Sequence, residues 1–314
     1  MSHTSPFRRV AVAAVALTST ALALAGCGDS SSDSGGGSDA GAAGGSSSSP
    51  LPTVEADQAL ADRVPASVSS DGVVKVGSDT TYAPSEFIAE DGTTIVGFDV
   101  DLFTLVAQKL GLEAQFETAP FDSIIAGVGS QKYEVGVSSF TVNAEREAQA
   151  NMISYYSAGT QWSTKKGNPN DIDPDDACGK RIAVQKATVQ VDDITARSEK
   201  CVADGKPEIT IDQYDGQDEA TAAVVSGKDD AGLADSPVMA YAVAQTNGQL
   251  ELLGDVYDAA PYGYVVAKDQ TDFAQAIADA VQALIDDGTY QEVLQKWGVE
   301  AGAIDDPTVN PSVG

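Results

Sequence analysis

The sequence predicts an α/β protein with two lobes, each a mostly parallel sheet flanked by helices. Two observations carry this. From residue 73 onward short apolar runs of strand character alternate with longer stretches of helical period, and the alternation restarts near residue 181. A chain of 314 residues that is 42% hydrophobic can also build two cores.

The amino-terminal segment stands apart. Arg8 and Arg9 precede an apolar run, Val10 to Ala25, that is short for a membrane span and suited to a signal-peptide core. The run closes in "LAGC", which resembles the end of bacterial lipoprotein signals. Residues 1–26 are therefore expected to be removed and Cys27 to carry lipid. The stretch "GDSSSDSGGGSDAGAAGGSSSSP", residues 28–50, cannot bury apolar surface and reads as a flexible tether, with a coil span on the order of 25 Å. The linker region, residues 27–70, includes a short helix in "EADQALADRV".

Charge and composition exclude several functions. The chain has 18 Lys and Arg; less the two in the signal segment, they face 47 Asp and Glu, leaving −31. Nucleic acid is a poor partner for such a chain, because phosphate binding needs clustered cations. The one histidine, His3, leaves with the signal segment. That removes a Ser-His-Asp triad, a His-paired cysteine and a His-bound metal; no cofactor or metal is expected. With Cys27 lipidated, Cys178 and Cys201 form an even pair in an exported chain and read as a disulfide.

In the first set of elements "VVKVG" (73–77) is a strand. "FDVDLFTLVAQKLGL" (98–112) puts Leu102, Leu105, Val106 and Leu110 on one helix face and closes at Gly111. "EAQFET" (113–118) is a strand, "FDSIIAGVGSQK" (121–132) a helix and "YEVGVS" (133–138) a third strand. The second set runs through "RIAVQ" (181–185), a helix over 188–203, "EITIDQY" (208–214), a helix around "DEATAAVVSG" (218–227), "DAGLAD" (230–235) and the helix "SPVMAYAVAQ" (236–245). "YGYVVAKD" (262–269) returns a strand, and two amphipathic helices follow, separated near residues 286–288.

Open α/β sheets bind ligands beyond the carboxyl ends of their strands. Ser138 and Ser139, the stretch Gln185 to Thr188, and Asp235 all fall there, each at a helix start where free N–H groups attract anions. Ser138, Ser139 and Thr141 offer hydroxyls, and Arg146 a planar fork that fits a carboxylate. Two readings of "SSFTVNAER" stay open: a carboxylate receptor, or Asn143 capping a helix whose Arg146 meets solvent or Glu134. Asp235 likewise reads as an ammonium acceptor or a helix cap.

Residues 74–300 resemble the extracellular solute-binding proteins of amino-acid ABC importers, which have the type II periplasmic binding-protein fold. The resemblance rests on "SDTTYAP" (78–84), "GFDVDL" (97–102), "FDSIIAGVGSQKYEVGVSSFTVNAER" (121–146), "SYYSAG" (154–159), "GKRIAVQKAT" (179–188) and "GLADSPVMAY" (232–241), in that order. It implies that Ser139, Thr141 and Arg146 hold a ligand α-carboxylate with Thr188 reaching across, and that Asp235 holds the α-ammonium. Tyr82 and Phe121 would flank the ligand side chain, with Asp79 and Gln185 reading its polar end. Asp79 favours a cationic or amide ligand over an acidic one. Three positions depart from the pattern: Ser85, Ala187 and Val189. An alanine at 187 is strained if the loop needs a positive φ there.

The resemblance further implies a lobe of residues 71–160 plus 261–305, a second of 161–260, and two strand crossings, near 158–163 and 258–264, that serve as a hinge. A monomer is expected, anchored to the membrane outside the cytoplasm, that closes on a free amino acid and delivers it to permease subunits. No phosphate loop of the form GxxxxGK[ST] occurs, so an ATPase would be another chain. The alternatives are an enzyme on the same fold, similar to cyclohexadienyl dehydratases, and a ligand-sensing lipoprotein.

Overall fold

The computed structural model describes residues 51–312; the signal segment, Cys27 and the tether through residue 50 lie outside them. In chain order the elements are α1 (Gln58–Ala61), α2 (Ala66–Ser69), β1 (Val73–Ser78), β2 (Thr81–Tyr82), β3 (Glu86–Ile88), β4 (Ile95–Val96), α3 (Phe98–Lys109), β5 (Glu113–Thr118), α4 (Phe121–Gly129), β6 (Val135–Gly136), α5 (Ala144–Gln149), β7 (Ala150–Lys165), β8 (Arg181–Gln185), α6 (Val189–Ala203), β9 (Thr210–Tyr214), α7 (Gln217–Ser226), β10 (Ala231–Asp235), α8 (Ser236–Gln245), β11 (Leu250–Ala267), α9 (Thr271–Asp286) and α10 (Thr289–Trp297).

One eight-stranded sheet, in the order β5-β1-β6-β11-β7-β10-β8-β9, organises the molecule, beside a small sheet β2-β3-β4. On either flank the pairing is parallel: β1 with β5 and β6, and β8 with β9 and β10. The centre is antiparallel, because β7 and β11 pair along most of their length and belong to both flanks. Near residue 265 β11 pairs with β6, while the far end of β7 pairs with β10 through residues 160–164. The register of β7 against β11 shifts between Leu253 and Tyr257, between Tyr257 and Ala260, and between Tyr262 and Gly263. Such bulges bend a strand pair, and these lie between the flanks.

Helices cover both faces. The expected face of α3, Leu102, Leu105 and Val106 with Leu110 just beyond it, is fully buried, in one core with Phe273, Ile277, Val281 and Leu294 from α9 and α10. Gly97 starts α3 at φ 143, and a Cβ there would sit 1.9 Å from the Ser85 carbonyl oxygen, so only glycine fits. The second flank has its own core around Trp162, Ile182, Val184, Ile194 and Leu233. Its rim is fastened by the Cys178–Cys201 disulfide, with Cα atoms 5.6 Å apart, which ties the loop before β8 to the last turn of α6.

The structure differs from the sequence expectation in several places. The expected linker gives way to packed structure before residue 70: Leu60, Val64 and Val68 are buried in the first core, and Leu51 and Val54 pack against it. These residues repeat apolar contacts at helical spacing, which a Gly/Ser tether cannot offer. The chain also stays on the first flank past residue 305, where Thr308 and Asn310 bond to Ser154 and Met152 of β7. β7 is 16 residues long and β11 is 18, longer than the expected crossings.

Candidate functional site

The ends of β1, β6, β8 and β10 meet where the two flanks face each other. A cavity there is lined by Tyr82, Phe121, Ser139, Thr141, Arg146, Gln185, Thr188 and Asp235, together with Val189 and Gln190. Its volume is about 10 Å³, room for one water molecule. Anything larger enters only if the flanks part.

Arg146 illustrates how local sequence builds the site. Asn143 caps α5 by accepting the Arg146 N–H at 2.8 Å, so the cap is real. The guanidinium nevertheless turns inward and meets neither solvent nor Glu134. It donates to the Thr141 carbonyl at 2.7 Å and, across the cleft, to the Ala187 carbonyl at 3.0 Å. Its plane lies over Phe121 and Phe140, 5.4 and 5.6 Å from the ring centroids, and those rings stack on each other. Burial pushes its pKa down, and the charge of Asp235 opposes that shift.

Asp235 ends β10 and starts α8, yet its side chain makes no cap hydrogen bond. Its carboxylate instead accepts from the Tyr82 hydroxyl and from Gln190 Nε2, both at 2.8 Å. Burial raises its pKa, while the hydrogen bonds from Tyr82 and Gln190 and the charge of Arg146 pull it back. A buried acid and a buried arginine thus face one cavity from opposite flanks and sense each other's charge.

The hydroxyls are committed in direction. Ser139 sits at φ 49, outside the usual range for a serine, held by Asp99, whose Oδ2 accepts both its N–H at 3.0 Å and its hydroxyl at 3.2 Å. With its proton given to Asp99, the Ser139 oxygen has only lone pairs for the cavity, which suits an ammonium better than the expected carboxylate. Thr188 donates to the Gln185 carbonyl at 2.8 Å, and the N-terminus of α6 follows it. Ala187 has φ 61, the strained conformation expected of that loop.

Two of the ten candidate residues are not in the cavity wall. Asp79 accepts from Thr81 N and Oγ1, Phe121 N and Gln185 Nε2, which saturates its carboxylate and joins the flanks. Ser138 lies behind the wall, accepting the Asp79 N–H and donating to Glu86 Oε1, both at 3.0 Å. Both support the site from behind. Sequence reasoning missed Gln190, a first-turn residue of α6 indistinguishable from a surface helix position, and the supporting acids Glu86 and Asp99.

This fold, an α/β sheet split by two long central strands with a charged cavity between its flanks, is that of the type II periplasmic binding proteins. The chain belongs to the bacterial extracellular solute-binding proteins, family 3, whose family model matches residues 74–300. It is similar to the arginine-binding protein ArgT of Corynebacterium glutamicum, 37% identical over 262 residues covering 83% of this chain and 84% of that one. It is also similar to the L-cystine-binding protein TcyJ of Escherichia coli, 28% identical over 77% of this chain and 87% of the relative. Among solved structures, an ancestral arginine-binding protein bound to arginine matches with a TM-score of 0.67 and 30% identity, over 72% of this chain and 98% of that one. All three are named as binding proteins, and the chain is a substrate-binding protein. Among the described residues no helix is long and apolar enough to cross a membrane.

Proposed function

We propose that the chain captures a free polar amino acid with a cationic side chain, L-arginine foremost, by closing two lobes, and hands it to the permease subunits of an ABC importer. The lobes are residues 71–160 with 261–305, to which the packed segments around Leu60 to Val68 and Thr308 to Asn310 add, and residues 161–260. The single observation that carries this is the pairing of Arg146 and Asp235, opposite charges that line one cavity from opposite flanks. A zwitterion gains most when both engage, so ligand favours the closed state.

In this reading Arg146, Thr141 and the first-turn N–H groups of α6 hold the α-carboxylate. Asp235 and the Ser139 oxygen hold the α-ammonium, and Tyr82 and Phe121 flank the side chain. Asp79, already saturated, acts through Gln185. A cationic side chain is favoured by the adjoining pocket of about 360 Å³, which carries Asp122, Glu145 and Asp192 beside Phe121 and Phe140, and by the arginine-binding names of two of the relatives described above. Once the signal peptide is removed, lipid at Cys27 holds the receptor at the outer face of the membrane. The melting-temperature shift across the twenty amino acids, followed by calorimetric titration of those that stabilise, tests the reading. Stabilisation by arginine supports it; stabilisation by none, or conversion of the ligand to product, opposes it.

A further inference from the structure

Behind the 138–141 turn two carboxyl groups, Glu86 on β3 and Asp99 in the first turn of α3, are buried with 0% exposure. Each holds one of the turn's serines: Glu86 Oε1 accepts from the Ser138 hydroxyl, and Asp99 Oδ2 from Ser139 N and Oγ. Asp99 Oδ2 also accepts the Tyr155 hydroxyl at 2.6 Å. The oxygens that no other donor reaches are Glu86 Oε2 and Asp99 Oδ1. The two carboxyls hold neighbouring serines of one turn, lie close enough to act on each other's pKa, and have no donor for the oxygen each leaves unpartnered. Two ionised carboxylates would leave both oxygens without a donor, and two like charges side by side in a buried site cannot both persist.

We propose that Glu86 and Asp99 share one proton at neutral pH, and that this proton makes them a positioning pair for the ligand-binding turn. Neutral Glu86 donates to Asp99 and accepts from Ser138; Asp99 stays an anion aimed at Ser139, which explains how a serine is kept at φ 49. Loss of the proton leaves two anions in contact, pushes β3 from α3, and loosens the turn that carries Ser139 and Thr141. Ligand affinity then falls in alkaline buffer. The titratable groups that face the pair are Asp79 and Tyr82 from the β1–β2 segment, Tyr155 and Tyr156 from β7, and Tyr264 from β11. None of these is a cation that could replace the proton. Burial raises both acids, Asp99 to about 6 and Glu86 well above its ordinary value, in keeping with one retained proton.

The affinity arm rests on the amino-acid reading above; the infrared arm does not. Infrared spectra of the wild-type chain at pH 7 in heavy water are expected to contain a protonated-carboxyl band that is weaker in Glu86→Gln, whose amide imitates the neutral acid. Absence of that difference overturns the shared proton whether or not arginine binds. Should Glu86→Gln not fold, loss of the wild-type band between pH 7 and 10 in the folded chain serves instead, and an unchanged or absent band overturns the proposal. For affinity, L-arginine is titrated into both chains from pH 6 to 10. The ratio of wild-type to variant Kd cancels the titration of arginine's own ammonium. It is expected to rise by up to tenfold per pH unit above the pair's pKa, and a ratio that stays flat overturns the proposal. If arginine binds neither chain at any pH, the ligand assignment fails and the infrared result alone decides the pair.

Discussion

The Tyr82 hydroxyl donates to the Asp235 carboxylate at 2.8 Å, joining β2 on one flank to β10 on the other. Tyr82 also packs on Ala234, Val238 and Met239 of the second flank, so its ring and its hydroxyl both hold the cleft shut. Tyr82→Phe keeps the ring and leaves a buried carboxylate short of one donor, at a cost of about 1–3 kcal/mol. A lower melting temperature without ligand is expected. Thermal unfolding of the two chains checks this, and equal melting temperatures count against a latching role.

Ala187 carries φ 61 while its carbonyl accepts from Arg146 across the cleft. Glycine enters that region freely but has more freedom to lose on folding. Ala187→Gly is therefore expected to change stability by less than about 1 kcal/mol, in contrast to Ala187→Val, which is expected to destabilise by more. Denaturant unfolding of both variants tests the order, and a reversed order contradicts it.

The disulfide lies on the rim of the second flank, away from the cavity. Reduction is expected to lower the stability of the chain by about 3 kcal/mol in the chain-entropy account and to leave ligand affinity within twofold. Melting and titration with and without reductant measure both, and a large loss of affinity would tie the bridge to the site.

Stability should depend on pH with a definite sign. Burial raises Glu86, Asp99, Asp79 and Asp235 above ordinary carboxyl values, so the folded chain binds protons that the unfolded chain releases. Below the unfolded pKa, near 4, both states are protonated. Stability therefore falls as pH rises from that point through the folded values, Asp99 alone contributing over the window up to about 6. Exposed acids such as Asp91, lowered to about 2 by hydrogen bonds from Thr94 and Thr93, act in the opposite sense only below pH 4. The melting temperature is expected to be higher at pH 5.5 than at pH 8, and a scan that rises toward pH 8 contradicts this.

Much of the fold was legible because it is local. The apolar stripe of α3 and its closing Gly111 are written in periodicity, and the strands 73–78, 113–118 and 181–185 coincide with the expected runs. β7 was obscured because it is buried on both faces over nearly its whole length, so no alternation marks it. Only the last part of β11, from Tyr262, was expected as a strand; its earlier part holds Gly254 and Pro261 and shifts register, which hides the continuity of the strand. Arg146 and Asp235 stand out in the sequence as charged residues at strand and helix ends, and both line the cavity. The Gln190 bond to Asp235 spans 45 residues and that of Gln185 to Asp79 spans 106, contacts that no local pattern encodes. Asp99 is one of two acids in the first turn of α3, and only the packing of α3 against β3 and the Ser138–Ser139 turn sets it apart.

The central claim is that Arg146 grips the ligand's α-carboxylate opposite Asp235. Its most direct measurement is calorimetric titration of the wild-type chain and Arg146→Ala with L-arginine and with agmatine, which is arginine without that carboxylate. A loss of about 2–5 kcal/mol is expected for arginine on the substitution, with little change for agmatine, which binds weakly to both chains. Equal arginine affinity in the two chains, or an equal loss for both ligands, contradicts it.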